Sequence, residues 1–454
     1  MEPERRAHIH LEMLRISSSE KYQRQFFTPL LPSHSLNIMD SSRETHPGKA
    51  TTLPVVMVSM SRWDGDFSSA AWSLAQTFAR TRPVLYVDYP YTITDYVRER
   101  KDPRVQRRKS SLLWRRNPLL QLQEYSENLY ALTPPLMLPA IRLPAGRTYE
   151  RLQAYNNRLL SQSILKGLNE LGYEEFIFFN SFNPQYLTRL PAGFAPRLFL
   201  YQSRDNLRAL EPYLRKHGEG GELQAIQNAD FSFATARQLQ KDLSELSGES
   251  VRFLPNAADF ETFSAAYEQK LPRPPELEGI SGPTIGYTGN ICHRSNYELL
   301  KKVCEAHSDK AVVLVGPRNH WKHTDIDLDA IPNLHFTGGK PIEQLPAFLA
   351  HFDVLILPFL CNEVTRSIYP LKINEYLASG KPVVATPFSE DIRSFGDVIE
   401  LADTPAEFAV AITDALESHS PEKARLRYER AAENTWTARV AQIDTWIEEA
   451  DAAR

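Results

Sequence analysis

Short apolar runs alternate with amphipathic helical patterns from residue 54 onward, and this alternation constrains the fold more than any other feature of the sequence. Helical patterns lie at about 68–80, 148–171 and 235–247 in the first half of the chain. The apolar runs of strand length in that half are Val55–Met60, Val84–Asp88, Phe176–Asn180, Arg197–Tyr201, Phe231–Thr235 and Val251–Leu254. The alternation predicts a parallel sheet covered by helices.

The alternation stops once and then restarts. Pro255 and Asn256 close the first set of strands, and a stretch rich in proline and acidic residues, 271–282, follows them. The later runs are Thr284–Thr288, Ala311–Val315, Leu334–Thr337, Val354–Pro358, Val383–Thr386 and Val398–Leu401. We therefore predict an α/β protein with two tandem Rossmann-like, parallel-sheet domains that face each other across a cleft.

The predicted boundaries follow from these breaks in the pattern. Residues 1–50 are polar, mixed in charge and without periodicity, so we expect a poorly ordered N-terminal extension. The first domain is predicted at 51–256, an interdomain linker at 257–283 and the second domain at 284–420.

Composition excludes several classes of protein. Hydrophobic residues make up 42% of the chain and charged residues 24%, as in globular proteins, and the formal net charge of -4 argues against a general nucleic-acid binder. The cysteines, Cys292, Cys304 and Cys361, are odd in number and lack metal-ligand spacing. No apolar run reaches the roughly 18–20 residues that a membrane span requires, and no secretory signal pattern is present. These features predict a cytoplasmic protein.

The segment from Tyr369 to Gly380 has the pattern of a helix whose start can bind an anion. Pro370 fits the first helical position, so the amides of Leu371 and Lys372 are left without partners inside the helix. The helix N-terminus and the Lys372 ammonium would attract a diphosphate, and Glu375 could accept hydrogen bonds from ribose hydroxyls. The same residues are also ordinary helix-start and helix-stop signals, so this interpretation depends on the surrounding sequence.

Two common nucleotide-binding motifs are absent. The first strand leads into Ser61–Ser69, a loop with one glycine, and the loop after Thr284–Thr288 does not read Gly-x-Gly-x-x-Gly. A nicotinamide oxidoreductase is therefore disfavoured. The chain also lacks Gly-x-x-x-x-Gly-Lys-[Ser/Thr], so a P-loop nucleotidase is disfavoured too.

The chain resembles the GT-B glycosyltransferases, most strongly at 284–400, and among them the GT4-like bacterial enzymes that build surface polysaccharides and glycolipids. The resemblance covers about residues 54–450. It is carried by Thr288-Gly289-Asn290 with Arg294, Val315-Gly316-Pro317, Phe336-Thr337-Gly338, Asp353–Phe359 and Pro370–Gly380. Residues 421–454 are similar to the helices that cross back to the first domain in that family.

The resemblance implies a set of donor-binding residues. Arg294 and Lys372 would neutralise the leaving diphosphate of a nucleotide sugar and are the candidate catalytic residues. The remaining donor-binding candidates are Gly65, Gly289, Asn290, Gly316, Gly339, Lys340, Pro370, Leu371 and Glu375. Donor transfer would retain anomeric configuration and need neither a metal nor a further cofactor.

One departure from the family pattern affects the donor sugar. Many GT4-like enzymes carry two glutamates: the first lies eight positions before the second, and the second corresponds to Glu375. This chain has Ser367 at the position of the first glutamate. In the family that carboxylate approaches the donor sugar, so the sugar is left open while the ribose role of Glu375 is kept.

Acceptor-side groups are expected at the ends of first-domain strands. Asn180, Asn183, Arg204 and Asp205 occupy such positions, and Asp64 lies in the loop after the first strand. The alternative is that these four strand-end residues have local roles: they cap loops, or Arg204 and Asp205 pair with each other.

A basic segment at 98–120 suggests contact with a membrane surface. Nine lysines or arginines and two acidic residues lie between Arg98 and Arg116, interleaved with Leu112, Leu113 and Trp114. Such a surface suits peripheral attachment to the anionic inner face of the membrane, where a lipid-linked acceptor could enter. The alternative is a solvated loop, because Pro103 and Pro118 interrupt any long helix.

The sequence therefore predicts a glycosyltransferase that moves a sugar from a nucleotide-sugar donor to a glycan or lipid-linked acceptor. Two alternatives stay open at this point. One is a sugar-nucleotide 2-epimerase on the same fold, and the other is a catalytically silent GT-B scaffold.

Overall fold

The computed structural model describes residues 50–65, 69–209, 212–319 and 323–454. The predicted N-terminal extension, residues 1–50, lies outside the described residues except for Ala50.

The first domain is built on a sheet of eight strands. They are β1 (Val55–Ser59), β2 (Val84–Val87), β3 (Leu119–Gln121), β4 (Leu129–Leu132), β5 (Ile177–Ser181), β6 (Leu198–Ser203), β7 (Phe231–Ala234) and β8 (Val251–Phe253). Their order in the sheet is β3-β4-β2-β1-β5-β6-β7-β8. All neighbours are parallel except β3 and β4, which are antiparallel. Every residue of β1 is buried because this strand lies inside the sheet and is covered on both faces.

Helices flank this sheet. They are α1 (Ala70–Phe78), α2 (Ile93–Glu99), α3 (Pro103–Arg107), α4 (Lys109–Trp114), α5 (Arg147–Glu170), α6 (Pro212–Asn228) and α7 (Arg237–Ser247). The Ser69 hydroxyl accepts a hydrogen bond from the Trp72 amide and so starts α1. Gly248, in the left-handed conformation, ends α7.

The predicted linker, residues 257–283, contains a helix, α8 (Phe260–Glu268). The Asp259 carboxylate caps it by accepting a hydrogen bond from the Thr262 amide. Phe263 is buried, and α8 packs against helices that follow it in the chain. This part of the segment is therefore packed structure, and the proline-rich character is confined to the residues after α8.

The second domain has a six-stranded, fully parallel sheet. Its strands are β9 (Thr284–Thr288), β10 (Ala311–Val315), β11 (Leu334–Gly338), β12 (Val354–Leu357), β13 (Val383–Ala385) and β14 (Glu400–Leu401), in the order β11-β10-β9-β12-β13-β14. The helices of this domain are α9 (Tyr297–Ala306), α10 (Leu345–His351), α11 (Leu371–Ala378), α12 (Glu390–Arg393) and α13 (Pro405–Glu417). The two mostly parallel sheets with their helices are the α/β architecture that the sequence predicts.

Two C-terminal helices complete the chain, α14 (Pro421–Ala432) and α15 (Trp436–Ala452). α14 packs against α11 and α8. α15 instead buries Val440, Ile443 and Ile447 in the core cluster that contains Val55 and Met57 of β1. The last helix of the chain therefore belongs to the hydrophobic core of the first domain.

Polar contacts join the domains next to the cleft. The Arg237 amide at the start of α7 donates to Asp391 Oδ2 of α12 at 3.0 Å, and Lys241 Nζ lies 2.8 Å from Glu390 Oε2. Asn256 Nδ2 donates to the Tyr369 carbonyl at 3.0 Å. Across the described ranges, no helix has both the length and the apolar character that a bilayer span requires.

Candidate functional site

A cavity of about 760 Å³ lies between the two domains. Its walls come from loops at the carboxyl ends of β1, β9, β10 and β11 and from the start of α11. Ligands of parallel α/β sheets bind at such strand ends. Most of the predicted site residues line this cavity: Asp64, Gly65, Gly289, Asn290, Arg294, Gly316, Lys340, Leu371, Lys372 and Glu375.

Lys372 is placed by two glycines. Its side chain lies across Gly289, where an added Cβ would stand 1.9 Å from Lys372 Cε and 2.5 Å from Nζ. Gly289 also has φ +127°, a conformation that favours glycine. An added Cβ at Gly316 would stand 1.9 Å from the Gly289 carbonyl oxygen. Both glycines are therefore needed for the lysine to lie on the floor of the cavity.

The start of α11 differs slightly from the sequence prediction. Pro370 is the N-cap and not the first helical residue, because its ψ of 127° is extended. Among the residues that the structure describes, no side chain caps the helix, so the amides of Leu371 and Lys372 have no capping group there. Pro370 itself is buried and lies outside the cavity wall. The uncapped amides at the helix start therefore belong to the residues after the proline.

Burial opposes charge on both ionisable groups of this helix. It lowers the pKa of Lys372, an effect that the nearby Arg294 guanidinium increases and the Glu375 carboxylate partly offsets. Burial likewise raises the pKa of Glu375, and Lys372 partly offsets that rise. An anion that entered the cavity would stabilise the protonated form of Lys372.

Arg294 is held by the backbone of its loop. Its carbonyl accepts a hydrogen bond from the Leu360 amide at 2.8 Å, and the Asn296 amide donates to Pro358 at 2.7 Å. Arg294 Nε is buried and has no hydrogen-bond partner among the described residues. A buried guanidinium nitrogen without a partner is costly, so this geometry favours an anionic ligand at this point.

The thiol of Cys292 lies beside Arg294. Burial alone would raise its pKa, but hydrogen bonds from His293 and Arg294 and the Arg294 charge lower it to about 6. Burial lowers the pKa of Arg294, and the neighbouring Cys292, Tyr287 and Asp205 outweigh that effect and raise it. Arg294 therefore keeps its positive charge within the cleft.

Lys340 and Gly339 differ in their surroundings. Lys340 lines the cavity, but its ammonium is hydrogen-bonded to Glu276, and this bond lowers the pKa of that carboxyl. Gly338, with φ +76°, needs glycine for its backbone conformation. An added Cβ at Gly339 would meet Pro317 at an ordinary 3.7 Å, and Gly339 lies outside the cavity wall. Backbone conformation therefore explains the glycine at 338, whereas neither conformation nor packing requires a glycine at 339.

The acceptor-side candidates at the ends of β5 and β6 do not line the cavity. Asn180 accepts a hydrogen bond from the Asn183 amide at 2.8 Å, and Asn183 Nδ2 donates to the Ser59 carbonyl at 3.3 Å. Arg204 lies over the Phe182 ring, and burial lowers the pKa of its guanidinium. The contacts of Asn180 and Asn183 match the alternative interpretation of loop caps. Asp205 differs, because its charge acts on Arg294 of the other domain.

Sequence reasoning missed several aromatic residues of the cavity. Trp63, Trp72 and Tyr125 of the first domain and Trp436 of α15 line it. Trp436 is far from the other residues along the chain, so no local pattern indicates its position. Trp63 lies within the loop that was already predicted to reach the cleft, and an aromatic residue beside Asp64 was the available signal.

Comparisons with known proteins identify relatives of the second domain and of the overall fold. Residues 282–418 match the family model of glycosyl transferases group 1. TuaH of Bacillus subtilis, described as a teichuronic acid biosynthesis glycosyltransferase, is 27% identical over 249 residues. That match covers 53% of this chain and 62% of TuaH, so the chain spans less than two thirds of this relative.

Solved structures show the same fold over most of the chain. Sucrose-phosphate synthase from Thermosynechococcus elongatus has a TM-score of 0.62 at 16% identity, covering 88% of this chain and 100% of that one. HepE from Anabaena, solved in complex with UDP and glucose, has a TM-score of 0.57 at 14% identity, covering 87% of this chain and 100% of that one.

Fold and cleft together define a GT-B protein. Its second domain carries the group 1 match, and the chain is similar to glycosyltransferases of the GT4-like kind.

Proposed function

We propose that this protein transfers a sugar from a nucleotide-sugar donor to a glycan or lipid-linked acceptor in the synthesis of a cell-surface polysaccharide or glycolipid. The observation that carries the proposal is the cluster formed by Lys372, Arg294 and the uncapped start of α11 on the floor of one interdomain cavity. UDP and glucose in the HepE structure support a nucleotide-sugar donor, and the name of TuaH supports a polysaccharide product.

The donor diphosphate would lie between the two cations. Negative charge grows on this diphosphate as the glycosidic bond breaks, so cations at this position stabilise the transition state more than the ground state. The amides of Leu371 and Lys372 would contribute further donors. Glu375, one turn along α11, would accept hydrogen bonds from the ribose hydroxyls.

The cations also support transfer without a metal. Lys372 and Arg294 supply two positive charges, which is the charge that a divalent ion would otherwise bring to the diphosphate. We expect turnover to be unchanged, within twofold, after dialysis against a chelator. Loss of all activity on chelation, with recovery on adding Mg²⁺ or Mn²⁺, would contradict this part of the proposal.

We further propose that the reaction retains anomeric configuration, as the GT4-like resemblance implies. Proton NMR of the product formed in the first minutes should show the anomeric coupling of the donor sugar. A product of opposite configuration would refute retention without affecting the donor site.

A panel of UDP-, GDP- and dTDP-sugars tests the function itself. We expect the wild-type protein to hydrolyse or transfer at least one sugar, and Lys372→Met to lower that rate about 100-fold or more. Lys381→Met is the matched control, because Lys381 is also partly buried but lies outside the cavity. It should retain activity within about twofold.

A catalytically silent GT-B scaffold is the competing function, and one observation favours it. Ser367, at the position of the family's first glutamate, is fully buried, and its hydroxyl has no partner among the described residues. Wild-type protein that neither turns over nor binds any nucleotide of the panel would favour this scaffold.

The segment 98–120 supports a second surface, which we propose contacts an anionic membrane. Trp114 is 70% exposed, and Leu113 and Leu120 are exposed beside it. The exposed cations of the segment are Arg98, Arg100, Lys101, Arg107, Lys109, Arg115 and Arg116. Leu112 and Arg108 point inward instead and are not part of this surface.

Liposome flotation tests the membrane surface. Vesicles with anionic lipid should carry the wild-type protein upward, and Trp114→Ala should reduce the bound fraction several-fold. Leu426→Ala, which changes an exposed apolar residue of α14, should not. Equal failure to bind anionic and neutral vesicles would refute this surface.

A further inference from the structure

The loop after β1 lines the cleft without regular secondary structure of its own. Arg62, Trp63, Asp64 and Gly65 all contribute to the cavity wall. Within the described part of the loop, 61–65, one backbone hydrogen bond is local: the Gly65 amide donates to the Arg62 carbonyl at 3.2 Å. The position of this wall must therefore be set by contacts with other parts of the first domain.

Arg108 makes the strongest of these contacts. Its Nη1 and Nη2 donate to the two carboxylate oxygens of Asp64 at 2.7 and 2.8 Å. Its Nε donates to Asp88 Oδ2 at 2.7 Å. This is a two-bond fork on one carboxylate and a third bond to another, an arrangement that a guanidinium can make and an ammonium cannot.

The rest of the network ties the loop to the end of β2. Asp88, directly after β2, also accepts hydrogen bonds from Thr133 Oγ1 at 3.0 Å and from the Trp63 amide at 3.4 Å. The Trp63 ring lies 5.6 Å from the Arg107 guanidinium carbon and 5.7 Å from that of Arg108. Arg108 thus contacts Asp88, whose carboxylate holds the Trp63 amide. It also contacts Asp64 and Trp63, the two residues of the loop whose side chains it reaches at the cleft wall.

Burial makes the network strongly coupled. The side chains of Arg108 and Asp88 are 4% and 0% exposed, and that of Asp64 is 11% exposed. Burial would raise the pKa of Asp64, but the hydrogen bonds and charge of Arg108 outweigh it and lower that pKa. Without the guanidinium, two carboxylates would face each other in a poorly solvated site.

We propose that Arg108 is a positioning residue of the transfer reaction: it fixes the loop at 61–65 as the first-domain wall of the cleft. Arg108 lies outside the cavity and touches no substrate site itself. This inference rests on the proposed function, because the loop matters only if the cleft brings a donor and an acceptor together.

Arg108→Lys tests the proposal, with Arg82→Lys as the matched control. Arg82 is a buried arginine of the same domain, paired with Asp444 of α15 and absent from the cavity wall. Amide hydrogen exchange should quicken in peptides covering 59–65 in Arg108→Lys and stay unchanged there in Arg82→Lys. Exchange in 59–65 at the wild-type rate in Arg108→Lys would overturn the proposal.

Kinetics provide the second readout. UDP, as the binding probe, should bind Arg108→Lys within twofold of wild type, because the diphosphate site belongs to the second domain. Turnover of the best donor of the panel should fall at least 10-fold in Arg108→Lys and less than twofold in Arg82→Lys. Equal loss of turnover in both variants would show a merely structural role.

A variant that fails to fold and a wild-type protein that binds no nucleotide can each be distinguished from failure of the Arg108 proposal. If Arg108→Lys does not fold, Thr133→Val, which removes one bond to Asp88, replaces it and should quicken exchange in 59–65 to a smaller extent. If the wild-type protein binds no nucleotide, the proposed function fails, while the exchange comparison still decides whether Arg108 fixes the loop.

Discussion

At the scale of single residues, Gly289 and Lys372 behave as one unit. The lysine occupies the space that any side chain at 289 would fill, and the left-handed backbone at 289 excludes most other residues independently. Both residues can be read from the sequence, but they lie 83 positions apart. Their contact could therefore be recognised only from the folded structure.

We predict that Gly289→Ala weakens nucleotide binding. The new Cβ would displace Lys372 Cε, and the φ of +127° adds backbone strain of about 1–2 kcal/mol. Calorimetric titration with UDP measures the effect, which should be a loss of affinity of at least 10-fold. Gly248→Ala, at φ +72° with no neighbour within 4 Å of the added Cβ, carries the strain without the collision and should bind UDP normally.

At the scale of elements, sequence periodicity predicted the buried strands but missed a helix whose glycines interrupt the helical pattern. β1 and β10 are almost entirely apolar, β9 is a buried strand of mixed composition, and the predicted and observed spans of all three agree within one residue. α6 was missed because it contains Gly218, Gly220 and Gly221, which are poor helix formers. Gly221 is required there because an added Cβ would stand 1.9 Å from the Pro184 carbonyl oxygen, a contact that no local pattern shows.

α15 joins the C-terminal part of the chain to the core of the first domain. We predict that Ile443→Ala lowers the free energy of unfolding of the first domain by about 2–5 kcal/mol, because it leaves a cavity beside β1. Gln442→Ala, at the exposed neighbouring position, should change it by less than about 0.5 kcal/mol. Urea denaturation followed by tryptophan fluorescence distinguishes the two, and equal effects would show that α15 does not pack as described.

At the scale of the whole molecule, the interdomain contacts and the cavity wall are what the sequence could not show. Most of the predicted site residues do line the cavity, several of them at strand ends, where ligands meet parallel sheets. They also suggested Asn180 and Asn183, whose amides are used inside the first domain. Trp436 and the Asp64–Arg108 pair depend on how distant segments pack, which no spacing along the chain reveals.

The Asp391 contact between the domains should make stability depend on pH. Burial raises the pKa of Asp391 to about 6, above its ordinary value of 3.8, and the Arg237 amide and charge only partly offset this. The folded state therefore binds more protons than the unfolded state between these values, and stability is lost as pH rises through about 6. We predict that Asp391→Asn gains stability over wild type as pH rises from 4 to 6, reaching on the order of 3 kcal/mol.

Thermal unfolding at a series of pH values checks this prediction. Glu390→Gln, at the exposed neighbour that pairs with Lys241, is the control and should shift stability by less than about 0.5 kcal/mol at every pH. A constant difference between Asp391→Asn and wild type from pH 4 to 7 would contradict the assignment.

The central claim is that Lys372, Arg294 and the start of α11 bind a nucleotide through its diphosphate. Calorimetric titration of the wild-type protein with UDP, GDP and dTDP, each beside its nucleoside, tests this most directly. We predict that one diphosphate binds at least about 100-fold more tightly than its nucleoside, and that Lys372→Met removes most of that difference. Equal affinity for the diphosphate and its nucleoside, or a difference that survives in Lys372→Met, would contradict it.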